Sequence, residues 1–183
     1  VDFNTPALAN APFTIRQAAI APIATKYFEP GAVVGGSTTM VTVGGRNGGD
    51  FTLNRMMITE PKPGTASMVD QGIAFSAWNT ALVQWPVGAT AVEVTYLYAT
   101  AGYGVPVSTA VVDTLPDPLP GDEVLGFIVA FTGALPSGAS AVLPFAASTS
   151  VASNVDLTTT DTVTVEVETP AGATASADAS DNL

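Results

Sequence analysis

The sequence predicts an all-β chain built as an antiparallel sandwich, and three observations predict it. Short runs in which apolar and polar residues alternate recur along the chain. The clearest is Asp161–Glu168, where Val163, Val165 and Val167 share one side and Thr162, Thr164, Glu166 and Glu168 the other. Seventeen glycines and fourteen prolines interrupt the 183 residues too often for long helices, and no window carries an apolar stripe of helical period over three turns. Hydrophobic residues make up 47% of the chain and charged ones only 11%, against a usual ~25%. The core is therefore well supplied, and Thr, Ser and Asn furnish most of the surface.

Taken in order, residues 1–25 are apolar but broken by Pro6, Pro12 and Pro22. They read as an extended segment or edge strand anchored by Phe13, Ile15, Ile20 and Ile23, or as a strand donated to a neighbouring subunit. Residues 26–61 read as a meander. A strand over 37–43 leads into a glycine-rich tip at 44–50, and a second strand over 51–60 carries a one-residue bulge near Asn54 and Arg55, where the apolar set shifts from Phe51 and Leu53 to Met56 and Ile58. Residues 62–122 read as an inserted antiparallel unit with strands at 73–78, 83–85, 92–98 and 105–112, in which Val92, Val94, Tyr96 and Tyr98 line the buried face. Pro116, Pro118 and Pro120 make residues 113–122 an extended connector. Further strands follow at 125–131, 140–145, 161–168 and 173–178. The expected organisation is one sandwich from 26–61 and 123–183 with the unit at 62–122 inserted. Two sandwiches side by side are the alternative.

Charge and missing residue types exclude whole classes of function. A net charge of −11 repels phosphate backbones and anionic membrane surfaces. Without cysteine there is no disulfide, thiol nucleophile or thiolate-bound zinc, and without histidine no Ser-His-Asp triad, histidine base or histidine-bound metal. No run approaches the ~18 consecutive apolar residues of a membrane helix. The start at Val1, with neither initiator Met nor signal peptide, is expected of a piece of a longer protein. Asp117, Asp122 and Glu123 form the densest acidic cluster, but beside prolines in a loop they read as solvated charge, so no catalysis is expected. The glycine-rich stretch at 44–49 lacks the Lys-Ser/Thr of a phosphate loop. No cofactor is expected, with calcium the one ion to weigh. Asp156, Asp161, Asp178 and Asp181 are its candidate ligands, against a plainer reading as solubilising charge. Trp78, Trp85 and Tyr103 are candidate sugar-stacking aromatics alongside Tyr96 and Tyr98. Aromatics at alternating strand positions are more often core, and Tyr103 at a glycine-flanked tip is the member expected outside.

The order of the turn motifs is also familiar. Lys26-Tyr-Phe-Glu-Pro30, Val34-Gly-Gly-Ser-Thr38, Asn47-Gly-Gly-Asp50 and Ile58-Thr-Glu-Pro61 are followed by Trp85-Pro-Val-Gly-Ala89, Asp113-Thr-Leu-Pro116, Phe131-Thr-Gly133, Pro136-Ser-Gly-Ala-Ser140 and Thr169-Pro-Ala-Gly-Ala173. Over residues 24–183 this order resembles the Ig-like repeats of large bacterial, especially actinobacterial, cell-surface proteins. The resemblance implies an Ig-like sandwich acting as an extracellular, non-catalytic stalk or adhesin module. Its partners would be neighbouring β-modules, copies of itself, or a host or surface glycan. A self-assembling filament or surface-layer subunit joined by strand exchange is the second reading, and a carbohydrate-binding module the third. Some surface Ig-like domains also join a lysine of the first strand to an Asn or Asp of the last through an isopeptide bond. That would make Lys26 the nucleophile, Asn154, Asp178 or Asn182 its partner, and Glu60 the assisting acid. The default expectation remains a solvated Lys26 at a strand edge.

Overall fold

The structure, a computed structural model, describes residues 17–104, 107–109, 114–150 and 158–183. Eleven strands run through the described residues: β1 (Pro22–Glu29), β2 (Thr38–Asn47), β3 (Leu53–Glu60), β4 (Ile73–Trp78), β5 (Ala89–Tyr98), β6 (Gly102–Tyr103), β7 (Val107–Thr109), β8 (Val124–Leu135), β9 (Ser140–Thr149), β10 (Thr160–Glu168) and β11 (Thr174–Asn182). One 3-10 turn at Thr80–Leu82 is the helical element among them. No described helix is long and apolar enough to cross a membrane.

The strands form two antiparallel sheets packed face to face as a sandwich, as the alternation predicts. One sheet has the order β1-β2-β9-β4 and the other β11-β10-β3-β8-β5-β6, with β7 also on β5. Val41, Val43, Leu143 and Phe145 of the first sheet face Met56, Ile58, Phe127, Val129, Phe131, Val163, Val165 and Val167 of the second, all essentially without exposure. Along one seam the sandwich is nearly closed, because β1 lies against β10 and β11.

The expected meander at 26–61 is not a hairpin. β2 pairs β1 and β9, whereas β3 pairs β8 and β10, so residues 48–52 carry the chain from one sheet to the other. Gly44 and Gly45 lie inside β2 instead of at a tip, and close packing is the reason they are glycines. A Cβ on Gly44 would stand 2.6 Å from Thr25 Oγ1 and 2.8 Å from the Ala141 carbonyl oxygen, and one on Gly45 would meet Val165 and Met56 at about 3 Å. The register breaks where the apolar shift places it, between Leu53 and Arg55, but the extra residue is on the partner strand, with three steps from Thr132 to Leu135 on β8 against two on β3.

The strands from 62–122 do not form a separate layer. β4 pairs β9 in one sheet and β5 pairs β8 in the other, so this stretch extends both sheets. The expected strand at 83–85 is a single bridge between Gln84 and Val142, and the one at 105–112 is represented by β7. Two tyrosines of β5 stitch the proline-rich connector in place. The Tyr96 hydroxyl accepts from Trp78 Nε1 and donates to the Pro116 carbonyl (2.6 and 2.5 Å), and Tyr98 Oη accepts from the Leu119 N–H (2.8 Å). Of residues 1–25, the part from Ala19 to Ala21 is tied to the crossing between β2 and β3. Ala19 N–H donates to Asp50 Oδ2, Asp50 N–H donates to the Ala19 carbonyl, and Gly48 N–H donates to the Ala21 carbonyl. β1 begins only at Pro22. Phe13 and Ile15 lie outside the described residues.

Candidate functional site

Three ionisable side chains meet inside the sandwich, and strand geometry puts each of them there. On β1, Lys26 and Phe28 occupy the inward positions while Tyr27 and Glu29 face out. On β3 the inward face of Met56 and Ile58 continues, two residues on, to Glu60. On β10 the inward face of Val163, Val165 and Val167 continues, two residues back, to Asp161. Glu60 ends β3, Asp161 is the second residue of β10, and the strands are antiparallel, so the two acids lie at the same end of one sheet. Lys26 reaches them from the other sheet.

Lys26 Nζ donates to Glu60 Oε1 and, over 2.7 Å, to Asp161 Oδ2, and all three side chains are 0% exposed. The Nζ also lies 5.5 Å from the centroid of the Phe28 ring, which covers it. Burial, first, and the neighbouring Asp161 carboxyl, second, push Glu60 well above its ordinary 4.5, outweighing the opposing pull of Lys26. Glu60 Oε2 has no donor facing it among the described residues. A proton on Glu60 gives it the donor that a hydrogen bond between two carboxyl groups requires. With Glu60 neutral, one ammonium faces one carboxylate and the site carries no net charge, the arrangement burial favours.

The default expectation of a solvated Lys26 is thus overturned, and two of its three expected partners lie elsewhere. Asp178 and Asn182 are outward residues of β11. Asp178 accepts from Lys62 Nζ (2.5 Å) and Thr164 Oγ1 (2.7 Å), which hold its carboxyl below the ordinary value, Lys62 foremost. Asn182 Oδ1 accepts from Thr160 Oγ1 (2.6 Å). Asn154 lies outside the described residues. Glu60 stands where the assisting acid was expected, and Asp161, weighed in the sequence only as a calcium ligand, is the residue beside the amine. The signal for it was present, because the alternation that turns Val163, Val165 and Val167 inward turns Asp161 inward too.

The structure does not gather the candidate calcium ligands into one site. Asp161 is engaged with Lys26, Asp178 with Lys62, and Asp181 Oδ2 accepts from the Phe28 N–H (2.9 Å), while Asp156 lies outside the described residues. Among the described residues no group of three or more acidic side chains is placed to hold a metal ion. Nor do the aromatics form an exposed row. Trp78 is buried edge-on against Phe127 (4.8 Å between centroids), Trp85 packs on Phe131, and Tyr103, 60% exposed, stands on the surface. In the acidic loop, Asp122 is taken up by the Thr100 hydroxyl.

No protein-family model matches the sequence, and no curated protein matches it. Several solved structures are similar in architecture. BcpA, the major pilin subunit of Bacillus cereus, superposes with a TM-score of 0.49 at 8% identity, over 88% of this chain and 39% of that one. This chain therefore spans about two-fifths of the pilin's length. ACE19, the collagen-binding subdomain of the Enterococcus faecalis surface protein ACE, gives 0.37 at 8% identity, over 82% of this chain and 90% of that one. AvmM, which catalyses macrocyclization in alchivemycin A biosynthesis, gives 0.34 at 10% identity over 88% of each chain.

Proposed function

We propose that the chain is a non-catalytic structural or adhesive module of an extracellular cell-surface protein, and that an amide between Lys26 Nζ and Asp161 Cγ closes its sandwich. The buried contact of Lys26, Glu60 and Asp161 across the two sheets carries this reading. A lysine sealed in a hydrophobic core against two acids is costly as an ion-pair network, because desolvation offsets most of the attraction. The same arrangement holds the amine in hydrogen-bond contact with the carboxyl group it would condense with.

The reaction balances without any other reactant. A proton passes from Nζ to the Asp161 carboxylate, with Glu60, hydrogen-bonded to both groups, relaying it. The amine then attacks Cγ, forming the N–C bond. The neutral Glu60 protonates the departing Asp161 oxygen, which leaves as water, and takes the second Nζ proton in return, so it ends with the proton it began with. Condensation is unfavourable in dilute water. Here it is offset by effective molarities that reach about 10⁵–10⁸ M for well-oriented groups and by the gain in replacing a buried ion pair with a neutral amide.

An amide between β1 and β10 ties the first sheet to the second through residues 135 positions apart in the chain. Such a link suits a protein that must hold its shape outside the cell without disulfides, and this chain has no cysteine. The resemblance to actinobacterial surface repeats belongs to the same reading. The test is the intact mass of the purified chain. One water less than the sequence mass, with a branched Lys26–Asp161 peptide in the digest, is the expected result; an unlinked mass refutes the amide.

A further inference from the structure

We infer that Asp181 is a positioning residue for this condensation, holding the strand that bears the amine in register with the strand that bears the acid. The inference rests on the Lys26–Asp161 amide reading above. Among the described residues β1 is an edge strand, paired with β2 alone, so the N–H groups on its other side have no sheet partner there. One of these, the N–H of Phe28, is taken by Asp181 Oδ2 at 2.9 Å, a side chain from the opposite sheet. Asp181 is also the direct cross-strand partner of Asp161 on β11 and β10, and in an antiparallel pair such residues project from the same face. One rung of the second sheet therefore carries both the carboxyl that reacts and the carboxylate that fixes the strand of the nucleophile.

The two contacts act on the same short piece of β1. Phe28 stands two residues beyond Lys26, on the same inward face, and its ring lies against Nζ. Holding the Phe28 N–H sets both the slide of β1 along the seam and the place of the ring that shields the amine from water. Without Asp181 this edge of β1 has lost an anchor to the opposite sheet, and the Phe28 N–H is left without its acceptor. The folded chain would keep its core, because β1 stays paired along β2 from Pro22 to Glu29. What it loses is the fixed distance from Nζ to Cγ, and misplacement by about 1 Å costs a proximity-driven reaction about a hundredfold.

The experiment starts from the 183-residue chain recovered from inclusion bodies in urea, its intact mass first shown to equal the sequence mass so that the amide is not yet made, and follows the loss of one water by mass spectrometry after refolding. Wild type is compared with Asp181→Ala, with Asp181→Asn, whose amide oxygen still accepts from Phe28, and with Ile73→Val. The last trims the core on β4, outside the reacting trio. Circular dichroism confirms that each variant is folded at the temperature used. The expected result is a rate at least about tenfold lower for Asp181→Ala, with Asp181→Asn restored close to wild type and Ile73→Val unaffected. Asp181→Ala reacting at the wild-type rate would overturn the inference and leave the amide standing. Asp181→Ala and Ile73→Val slowed alike would also overturn it, by reducing the effect to lost stability. A wild type that never loses water refutes the amide and the positioning role together.

Discussion

Replacing Glu60 by Gln separates the fold of this site from its chemistry. The Gln amide nitrogen can donate to Asp161 as the protonated acid does, and its oxygen can accept from Lys26 Nζ in place of Oε1. Lys26 and Asp161 still neutralise each other, so Glu60→Gln is expected to fold. An amide side chain cannot take up and return a proton, so the variant is expected to keep its full sequence mass. The stability difference follows from topology. A covalent link between positions 135 apart removes about 5 kcal/mol of conformational freedom from the unfolded chain, on the chain-entropy relation used for disulfides. At about 2–4 °C per kcal/mol for a chain of this size, the melting temperature should fall by roughly 10–20 °C. The assay pairs intact mass with a thermal melt by circular dichroism. A Glu60→Gln chain that lacks one water would refute the proton-relay role. An unlinked variant that melts with wild type would refute the link's contribution to stability.

Other perturbations test the remaining parts of the argument. The amide-forming rate after refolding should depend on pH through Glu60. Its raised pKa keeps the neutral acid at pH values where a free carboxyl is ionised, so the rate holds below that pKa and falls as pH rises through it, as a pH series by mass spectrometry would show; a rate that instead climbs with pH contradicts this. Gly44→Ala drives a methyl group into Thr25 and the Ala141 carbonyl, and a loss of about 1–3 kcal/mol is expected in urea unfolding. Tyr96→Phe removes the acceptor of the buried Trp78 N–H and the donor to Pro116. It should cost about 1–3 kcal/mol and speed proteolysis within 114–122, where wild type resists. Asp178→Ala breaks only exposed contacts, the pair with Lys62 and the hydrogen bond from Thr164, so it should leave amide formation intact and move the melting temperature by no more than about 2 °C.

What the amino-acid order determined by itself was local. Alternation placed Val163, Val165 and Val167, and Val92, Val94, Tyr96 and Tyr98, on buried faces, because side-chain direction along a strand is set by parity alone. The shift from Leu53 to Met56 located the break in register with β8, since a change of parity along one strand cannot be matched by a regular ladder. The lack of histidine and cysteine narrowed the chemistry to carboxylates and amines. Parity could also have turned Glu60 and Asp161 inward, had it been followed past the last apolar residue of each run. The sequence carried no sign of which sheet each strand would join. Gly44 and Gly45 read as a tip because glycine permits turning and close approach alike, and only the neighbouring strands β1 and β9 and the facing side chains of Met56 and Val165 decide between them. For the same reason the partner of Lys26 was not legible. It depends on β1 crossing the seam to β10, a meeting of residues 135 positions apart that neither propensity nor periodicity encodes. Burial then converts that meeting into chemistry, because the same three side chains in water would be an ordinary base and two ordinary acids.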